Sequence, residues 1–167
     1  MDLSIVQAAE LLSHGRVVAL PTETVYGLAG HALDPGALKS IFKIKGRPLT
    51  NPLIVHILDQ TDAEKLTLTP FSPRVQRLVK AFWPGPLTLI LPKALSVPDV
   101  LTAGRPTIAL RSPKHPLFRE ILSLCKLPLA APSANPSGYL SPTEANHVRH
   151  MFHEAPIPIV EDRKSVV

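Results

Sequence analysis

The sequence contains a single cysteine and no long apolar segment. Because one thiol cannot form an internal disulfide, Cys125 is typical of a protein kept in a reducing compartment, and we expect a cytoplasmic location. No apolar run approaches the roughly 20 residues that a membrane-spanning helix needs. The first four residues, Met-Asp-Leu-Ser, lack the basic start and apolar core of a signal peptide, so we expect no membrane attachment.

Aromatic and charged residues are also scarce. The 167 residues include five Phe, one Trp and two Tyr, and these form no stripe on which nucleic-acid bases would stack. Charged residues make up 19% and hydrophobic residues 45%, a balance that argues against disorder and predicts a globular fold. A chain of this length usually forms one domain, so we treat residues 1–167 as a single domain.

Acidic residues are absent between Asp34 and Asp59. The centre of this segment, residues 43–51, reads Lys-Ile-Lys-Gly-Arg-Pro-Leu-Thr-Asn, with three cations at alternate positions. Neighbouring cations repel one another, and a phosphorylated ligand is the most economical reason for placing them together. The excess of 18 Lys and Arg over 13 Asp and Glu, a net charge of +5, favours anionic partners without choosing among nucleotides, RNA and phosphates.

Helix and strand signals alternate along the chain. Ser4, Asp34 and Ser72 each precede a helical pattern, and the last two are followed by proline, which suits a first helical turn. The helix after Ser72 is predicted to turn Val79 and Phe82 inward. The alternation predicts a single α/β domain built on a mixed sheet. The predicted helices are 4–15, 34–42, 72–82, 116–125 and 142–152, and the predicted strands are 17–20, 53–57, 87–91, 107–110, 129–130 and 157–160.

Polar loops follow several of the predicted strands. Residues 21–28 read Pro-Thr-Glu-Thr-Val-Tyr-Gly-Leu, residues 131–138 read Ala-Pro-Ser-Ala-Asn-Pro-Ser-Gly, and residues 111–113 read Arg-Ser-Pro. Ligands of open α/β sheets tend to bind beyond strand ends, where such loops converge. We expect hydroxyl and amide groups there to orient a polar substrate, while Arg111 and the basic segment supply a positive field.

At these motifs the chain resembles the YrdC-type threonylcarbamoyl-adenylate synthases. One such motif would be weak, but five in the order and spacing of the family, over about residues 15–145, are specific. The resemblance implies a YrdC-like fold, in which a twisted mixed sheet and its helices surround a large, positively charged cavity. The matching segments are 21–28, 45–56, 82–88, 111–113 and 131–135.

The resemblance implies an enzyme, an L-threonylcarbamoyladenylate synthase of the nucleotidyltransferase class. Such an enzyme joins L-threonine, bicarbonate and ATP into threonylcarbamoyl-AMP and pyrophosphate, for the threonylcarbamoyl modification of the adenosine beside the anticodon of certain tRNAs. Mg²⁺ is expected with the ATP, and no metal held by the protein alone. The implied partners are the proteins that transfer the threonylcarbamoyl group to tRNA, with tRNA or double-stranded RNA as a further ligand.

The resemblance also implies roles for individual residues. Lys45 and Arg47 would act by positioning and charge neutralisation of the ATP phosphates, so that alanine at either position would abolish nucleotide binding with the fold intact. Arg111 would grip the carboxylate of L-threonine through a bidentate pairing. The implied L-threonine ligands are Thr24, His56, Arg111 and Ala131, and the implied ATP ligands are Lys45, Arg47, Asn51, Thr107, Ser133 and Ser141.

Some of these residues have plainer structural interpretations. Lys45 and Arg47 belong to a basic run that, without the other motifs, is typical of a solvated surface. His56 ends a predicted strand in the manner of a core histidine, and Glu23 suits a structural turn as well as a functional role.

Cysteine and histidine residues outside the motifs favour structural roles. Cys125 lies among leucines and is typical of a small core residue. His147, His150 and His153 are spread around a predicted helix without a carboxylate pattern, so we expect a solvated helix instead of a metal site.

The resemblance fades after residue 160. Family members usually continue through a glycine-rich turn and further strands, one of them with an arginine that contacts substrate, whereas this sequence ends in Ser165-Val166-Val167. We therefore expect incomplete C-terminal strands and an unpaired sheet edge, which favours dimerisation or aggregation.

Two other functions fit parts of the sequence. A module of the same fold that binds double-stranded RNA or tRNA, without full synthase activity, would use the net charge of +5. The other is the carbamoyl-adenylate chemistry of YrdC-like domains in hydrogenase-maturation carbamoyltransferases, which normally lie in longer chains. Saturable binding of ATP and L-threonine favours the synthase, and salt-sensitive RNA binding without threonine dependence favours the module.

Overall fold

Helices and short strands alternate through residues 2–162, the part of the chain that the computed structural model describes. Within this range no helix is long and apolar enough to cross a membrane. The helices are α1 (Ile5–Ser13), α2 (Pro35–Lys45), α3 (Gln60–Glu64), α4 (Pro73–Phe82), α5 (Asp99–Thr102), α6 (Pro116–Cys125) and α7 (Ala145–Met151), and the strands are β1 (Val18–Leu20), β2 (Gly27–His31), β3 (Ile54–His56), β4 (Leu89–Pro92), β5 (Thr107–Arg111) and β6 (Leu129–Ala130).

The six strands form one mixed sheet in the order β1-β2-β6-β3-β5-β4. The strands β3 and β5 pair in parallel, with Ile54 opposite Ala109 and His56 opposite Arg111. The strand β6 runs antiparallel to β3, with Leu129 opposite His56. The carboxyl ends of β3 and β5 therefore lie side by side, while the chain leaves β6 at the amino end of β3.

Side-chain caps define where the main helices begin and end. The Ser4 Oγ accepts the Gln7 N–H at 3.2 Å and the Gln7 side chain accepts the Ser4 N–H at 2.9 Å, a reciprocal capping box. The Asp34 carboxylate accepts the Gly36 N–H at 2.8 Å at the start of α2. At the other end of α2, Gly46 adopts φ 58°, a left-handed conformation that glycine enters without strain.

Apolar side chains bury both faces of the sheet. On one face Leu28, Val55 and Leu110 join a large cluster together with α2 and α7. On the other face Leu129 joins Phe118 of α6 in a smaller cluster that also contains α1. Because β-strand side chains alternate between faces, residues 54, 56, 109 and 111 share the second face with Leu129. Beyond α6 this face is open, since Ile54 is 37% exposed and Ile90 is 69% exposed.

The α/β architecture predicted from the sequence is confirmed, with local differences. The pattern gave no strand at Gly27–His31 and no helices at Gln60–Glu64 and Asp99–Thr102. The prediction that Phe82 faces inward is wrong, because its side chain is 55% exposed at the end of α4. Val79 of the same helix is buried, as predicted.

The outer edge of β1 is paired with the segment that precedes residue 162. The Ala19 N–H donates to the Pro158 carbonyl at 2.8 Å, and the Val160 N–H donates to the Ala19 carbonyl at 3.0 Å. The predicted strand at 157–160 is thus an extended segment with a single bridged residue, Ile159. The expectation about the strands at Ser165–Val167 concerns residues outside the described range.

Candidate functional site

The two parallel strands end in a buried ionic cluster. Arg111, the last residue of β5, pairs through Nη2 with Glu23 Oε1 at 2.8 Å, and the two side chains are 11% and 19% exposed. The same Nη2 lies 3.5 Å from the Thr24 hydroxyl, a long contact. His56 is the strand neighbour of Arg111. The loop after β1 therefore meets the ends of β3 and β5, and Thr24, His56 and Arg111 are brought together as a group.

His56 is neutral in this environment. Its ring is 2% exposed and packs on Phe118, with ring centroids 5.0 Å apart. Burial, reinforced by the positive charge of Arg111 and opposed by Glu23, lowers the pKa of His56 to about 3. Its Nδ1 and the Nε of Arg111 are buried and have no hydrogen-bond partner within residues 2–162. Most buried polar atoms in proteins have a hydrogen-bond partner, so these two are candidates for contact with a ligand.

The loop that presents Glu23 and Thr24 is fixed by a neighbouring hydroxyl. Thr22 Oγ1 donates to the Val25 carbonyl at 2.6 Å and accepts the N–H groups of Thr24 and Val25, each at 3.1 Å. The backbone of Tyr26, which follows Val25, is also fixed. Its N–H donates to the Pro142 carbonyl and its carbonyl accepts the Ala134 N–H, both at 2.7 Å. These bonds fix the positions of Glu23 and Thr24 before any ligand arrives.

Lys45, at the end of α2, reaches into a second loop instead of into solvent. Lys45 is 3% exposed, and its Nζ donates to the carbonyls of Ser133 and Asn135, both at 2.5 Å. Its own carbonyl accepts the Ser137 N–H at 2.7 Å. Burial, with a smaller contribution from Arg47, lowers the pKa of Lys45 to about 8. Lys45 is therefore an internal support of the 133–137 loop as well as a buried positive charge beside it.

Arg47 closes the short loop that follows α2. Its Nε donates to the Asn51 carbonyl at 3.3 Å and its Nη2 to the Pro52 carbonyl at 3.0 Å. Burial lowers the pKa of its guanidinium below the ordinary value. The side chain of Asn51 is exposed. The contact with Arg47 is made by the backbone of Asn51, so the amide group of Asn51 stays available to a ligand.

The segment after β6 extends the sheet toward the first loop. Gly27 pairs with Ser133, and the Leu28 N–H donates to the Pro132 carbonyl at 2.7 Å. A Cβ at Gly27 would lie 3.3 Å from the Cβ of Ala131, so the close approach of the two segments favours glycine. Ala131 is buried, and its N–H donates to the Ile54 carbonyl at 3.1 Å.

Thr107 lies away from the ionic cluster. Thr107 and Arg111 are the first and last residues of β5, and are therefore roughly 13 Å apart along the strand. The 46–52 loop leads into the amino end of β3, which is the same end of the parallel pair as Thr107. Ser141 is exposed and precedes Pro142, the residue bonded to Tyr26. Thr107 and the 46–52 loop thus lie toward the amino end of the parallel pair, whereas His56 and Arg111 lie at its carboxyl end.

The structure adds residues to which the sequence analysis gave no definite role. Glu23 is the partner of Arg111, and Asn135 secures its own loop by donating from Nδ2 to the carbonyls of Pro136 and Tyr139, both at 2.9 Å. Both residues lie inside recognisable motifs, and Glu23 is far from its partner Arg111 in the sequence. No sequence signal indicated which contacts they make.

Arg119 of α6 is a further support. Its Nη1 donates to the carbonyls of Leu58 and Pro113, both at 3.1 Å, and to the Ser112 hydroxyl at 3.0 Å. These acceptors follow directly after His56 and Arg111 in the chain. Arg119 therefore fixes the segments that leave the two parallel strands.

The histidines of α7 and the cysteine lie apart from the site. His150 Nδ1 bonds to the Asn146 carbonyl and His153 Nδ1 to the His150 carbonyl, both at 2.9 Å, and these side chains are exposed. Over the described part of the chain, no cluster of three or more His, Cys, Asp or Glu residues has the arrangement of a metal site. Cys125 is half-buried against the smaller core cluster.

A cavity of about 710 Å³ lies elsewhere, between the start of α1 and the start of α6. Leu3, Ile5 and Leu117 supply apolar walls, and Val160 and Asp162 close one side. His115 bonds Asp162 there at 3.0 Å. This cavity is lined by none of the predicted ligands.

Comparison with known proteins places these motifs in a defined family. Residues 10–166 match the sequence profile of the Sua5/YciO/YrdC family, whose description reads "Telomere recombination". The chain is 49% identical to the threonylcarbamoyl-AMP synthase of Pyrococcus abyssi, over 87% of this chain and 43% of that protein. It is 52% identical to the synthase of Bacillus subtilis, over 89% of this chain and 43% of that protein. A shorter synthase from Vibrio vulnificus is 35% identical, over 83% of this chain and 75% of that protein.

Solved structures show the same fold. A crystal structure of P. abyssi Sua5 complexed with L-threonine superposes with a TM-score of 0.90 at 47% identity, over 94% of this chain and 45% of that chain. E. coli YciO superposes with a TM-score of 0.81 at 24% identity, a likeness that concerns the fold alone. The chain spans less than half the length of the P. abyssi and B. subtilis relatives.

Proposed function

Since the chain belongs to the Sua5/YciO/YrdC family, we propose that it is an L-threonylcarbamoyladenylate synthase, a nucleotidyltransferase that acts in the cytoplasm. Its substrates would be L-threonine, bicarbonate and Mg²⁺-bound ATP, and its products threonylcarbamoyl-AMP and pyrophosphate. The product would pass to the proteins that transfer the threonylcarbamoyl group to tRNA.

The observation that carries this proposal is the buried cluster at the ends of β3 and β5. A guanidinium with a buried, unpaired Nε, beside a neutral imidazole with an unpaired Nδ1 and a threonine hydroxyl, suits a small zwitterionic ligand. Arg111 would bind the carboxylate of L-threonine, while Thr24, His56 and the Ala131 backbone would surround the rest of it. The complex of P. abyssi Sua5 with L-threonine supports this assignment by similarity.

The other end of the open face suits the nucleotide. Arg47 and the exposed Asn51 amide would contact phosphate oxygens, and Thr107, Ser133 and Ser141 would contact the remainder of ATP. Lys45 would contribute its positive charge through the 133–137 loop, because two of its three donors already bond carbonyls.

The reaction needs orientation more than covalent help. The amine of L-threonine adds to bicarbonate to give a carbamate with loss of water, and a carbamate oxygen then attacks the α-phosphorus of ATP with pyrophosphate as the leaving group. Arg47 and Lys45 would offset the charge that develops on the phosphates, and Mg²⁺ arrives with the ATP as part of the substrate. Holding the carbamate in line with the α-phosphorus would supply much of the acceleration.

Pyrophosphate release tests this proposal. The 167-residue chain, incubated with MgATP, should release pyrophosphate only when L-threonine and bicarbonate are both present, and L-serine or L-valine should replace L-threonine poorly. Release that ignores L-threonine would contradict the synthase assignment. Salt-sensitive binding of tRNA without threonine-dependent turnover would favour the RNA-binding module instead.

A further inference from the structure

We propose that Glu23 is a positioning residue of the amino-acid subsite, whose buried carboxylate orients the Arg111 guanidinium toward the carboxylate of the bound amino acid. The inference rests on the proposed function, because it assigns Arg111 to the amino-acid substrate. Glu23 would act on the ligand through Arg111 and not by direct contact.

The first support is the fixed position of the carboxylate. Glu23 sits in a turn whose three neighbouring backbone groups are all bonded to the Thr22 hydroxyl, at 2.6 and 3.1 Å. Burial raises the pKa of the Glu23 carboxyl. Arg111 and the backbone N–H groups of Glu23 and Lys114 together lower this pKa by more than burial raises it, so the net shift is downward. Glu23 is therefore a fixed anion before the substrate binds.

The second support is the geometry at Arg111. The Nη2 of the guanidinium contacts the first loop, at 2.8 Å from Glu23 and 3.5 Å from the Thr24 hydroxyl. A guanidinium is planar and carries five N–H donors, so the ion pair at Nη2 anchors one side of the group and leaves other donors for a ligand. The unpaired Nε shows that donor capacity remains at this buried position.

The third support is that the Glu23 oxygens are themselves shielded. Both are buried atoms, so the carboxylate faces the protein interior and its negative charge is directed at Arg111. His56, the strand neighbour of Arg111, is neutral and contributes no compensating charge. Glu23 thus provides the negative charge that pairs with Arg111 inside the protein, and it acts on the ligand through Arg111.

Calorimetric titration of the 167-residue chain with L-threonine, and separately with a non-hydrolysable ATP analogue, tests the inference. Glu23→Gln keeps the size of the side chain but removes its charge, and should weaken L-threonine binding roughly 10- to 100-fold, the range expected for one charge-assisted hydrogen bond. Affinity for the ATP analogue should stay within about two-fold, because Thr107 and the 46–52 loop, which are assigned to ATP, lie toward the other end of β3 and β5. Glu23→Asp restores the charge and should recover part of the L-threonine affinity.

Glu10→Gln on the exposed surface of α1 is the matched control and should leave both affinities unchanged. Unchanged L-threonine affinity in Glu23→Gln overturns the inference. It is also overturned if Glu23→Gln and Glu23→Asp each lose affinity for L-threonine and for the ATP analogue to the same extent. A wild-type chain that binds L-threonine but shows no threonine-dependent pyrophosphate release contradicts the proposed function while the positioning role of Glu23 stands. A wild-type chain that binds no L-threonine overturns both.

Discussion

Replacement of Lys45 by methionine should destabilise the protein as well as weaken ATP binding. The ammonium group joins α2 to the carbonyls of Ser133 and Asn135, and methionine fills a similar volume without any donor. This expectation differs from the one drawn from the sequence, in which loss of Lys45 leaves the fold intact. The difference arises because Lys45 is 3% exposed and lies inside the molecule.

The size of the effect follows from two opposing contributions. Leaving two carbonyls without their donor costs roughly 1–3 kcal/mol for each group. Removing the ammonium also removes the cost of burying a positive charge, a cost that is visible in the pKa of Lys45, which burial lowers to about 8. This gain offsets part of the loss. We expect a net loss of about 2 kcal/mol in the free energy of unfolding, or about 4–8 °C in Tm for a chain of this size.

Urea unfolding measures this loss, with circular dichroism and the fluorescence of the single tryptophan as independent probes. Lys43→Met is the matched control, because Lys43 is exposed on the same helix, and it should change stability by less than about 0.5 kcal/mol. A double-mutant cycle with Asn135→Ala should show coupling above about 0.5 kcal/mol, since both side chains secure one loop. If Lys45→Met unfolds at the wild-type urea concentration and yet fails to bind ATP, the structural role assigned to Lys45 is wrong.

Three further substitutions address other parts of the site. His56→Phe should make stability less sensitive to acid. His56 takes up a proton near pH 6.5 in the unfolded chain but only near pH 3 in the folded chain. Between pH 6.5 and pH 4 this difference lowers the free energy of unfolding of the wild type by about 3 kcal/mol. Urea unfolding across that pH range measures the loss. Thr22→Val removes the hydroxyl that fixes the first loop, and should raise KM for L-threonine more than KM for ATP in steady-state kinetics. Arg119→Lys keeps the charge but shortens the reach to three acceptors, and should lower stability by about 1–2 kcal/mol in the same unfolding assay.

Each of these predictions has a defined contrary result. His14→Phe is the control for acid sensitivity, because His14 is exposed, and equal acid loss in wild type and His56→Phe contradicts the buried neutral imidazole. An equal rise in both KM values for Thr22→Val indicates general damage instead of a local role for the turn. Wild-type stability in Arg119→Lys shows that the bonds at the strand ends are unimportant.

Local signals in the sequence predicted the parts of the fold that depend on local interactions. Ser4 and Ser72 cap helices in the structure because a serine hydroxyl satisfies N–H groups only a few residues away. The strand Gly27–His31 was missed because two glycines and a histidine give it little intrinsic strand preference. It is a strand because β1 and β6 pair with it on both sides. Such tertiary pairing has no signature within the segment itself.

The site shows the same limit more sharply. Lys45 and Ser133 are separated by 88 positions, and Thr24 and Arg111 by 87. Motif order predicted which residues belong to the site, and the structure brings Thr24, His56 and Arg111 together, as well as Lys45 with Ser133. Whether a charged side chain faces a ligand or the protein interior depends on packing, which is why the internal bonds of Lys45 and the pairing of Glu23 with Arg111 were not foreseen.

Mass spectrometry of the reaction product tests the central claim most directly. The chain is incubated with MgATP, L-threonine and ¹³C-labelled bicarbonate, and the nucleotides are separated immediately because a carbamoyl-adenylate hydrolyses readily. The proposed function predicts an adduct of AMP, L-threonine and one bicarbonate carbon that carries the isotopic label and disappears when L-threonine is omitted. AMP without a labelled adduct, or an adduct that forms equally well without L-threonine, would contradict it.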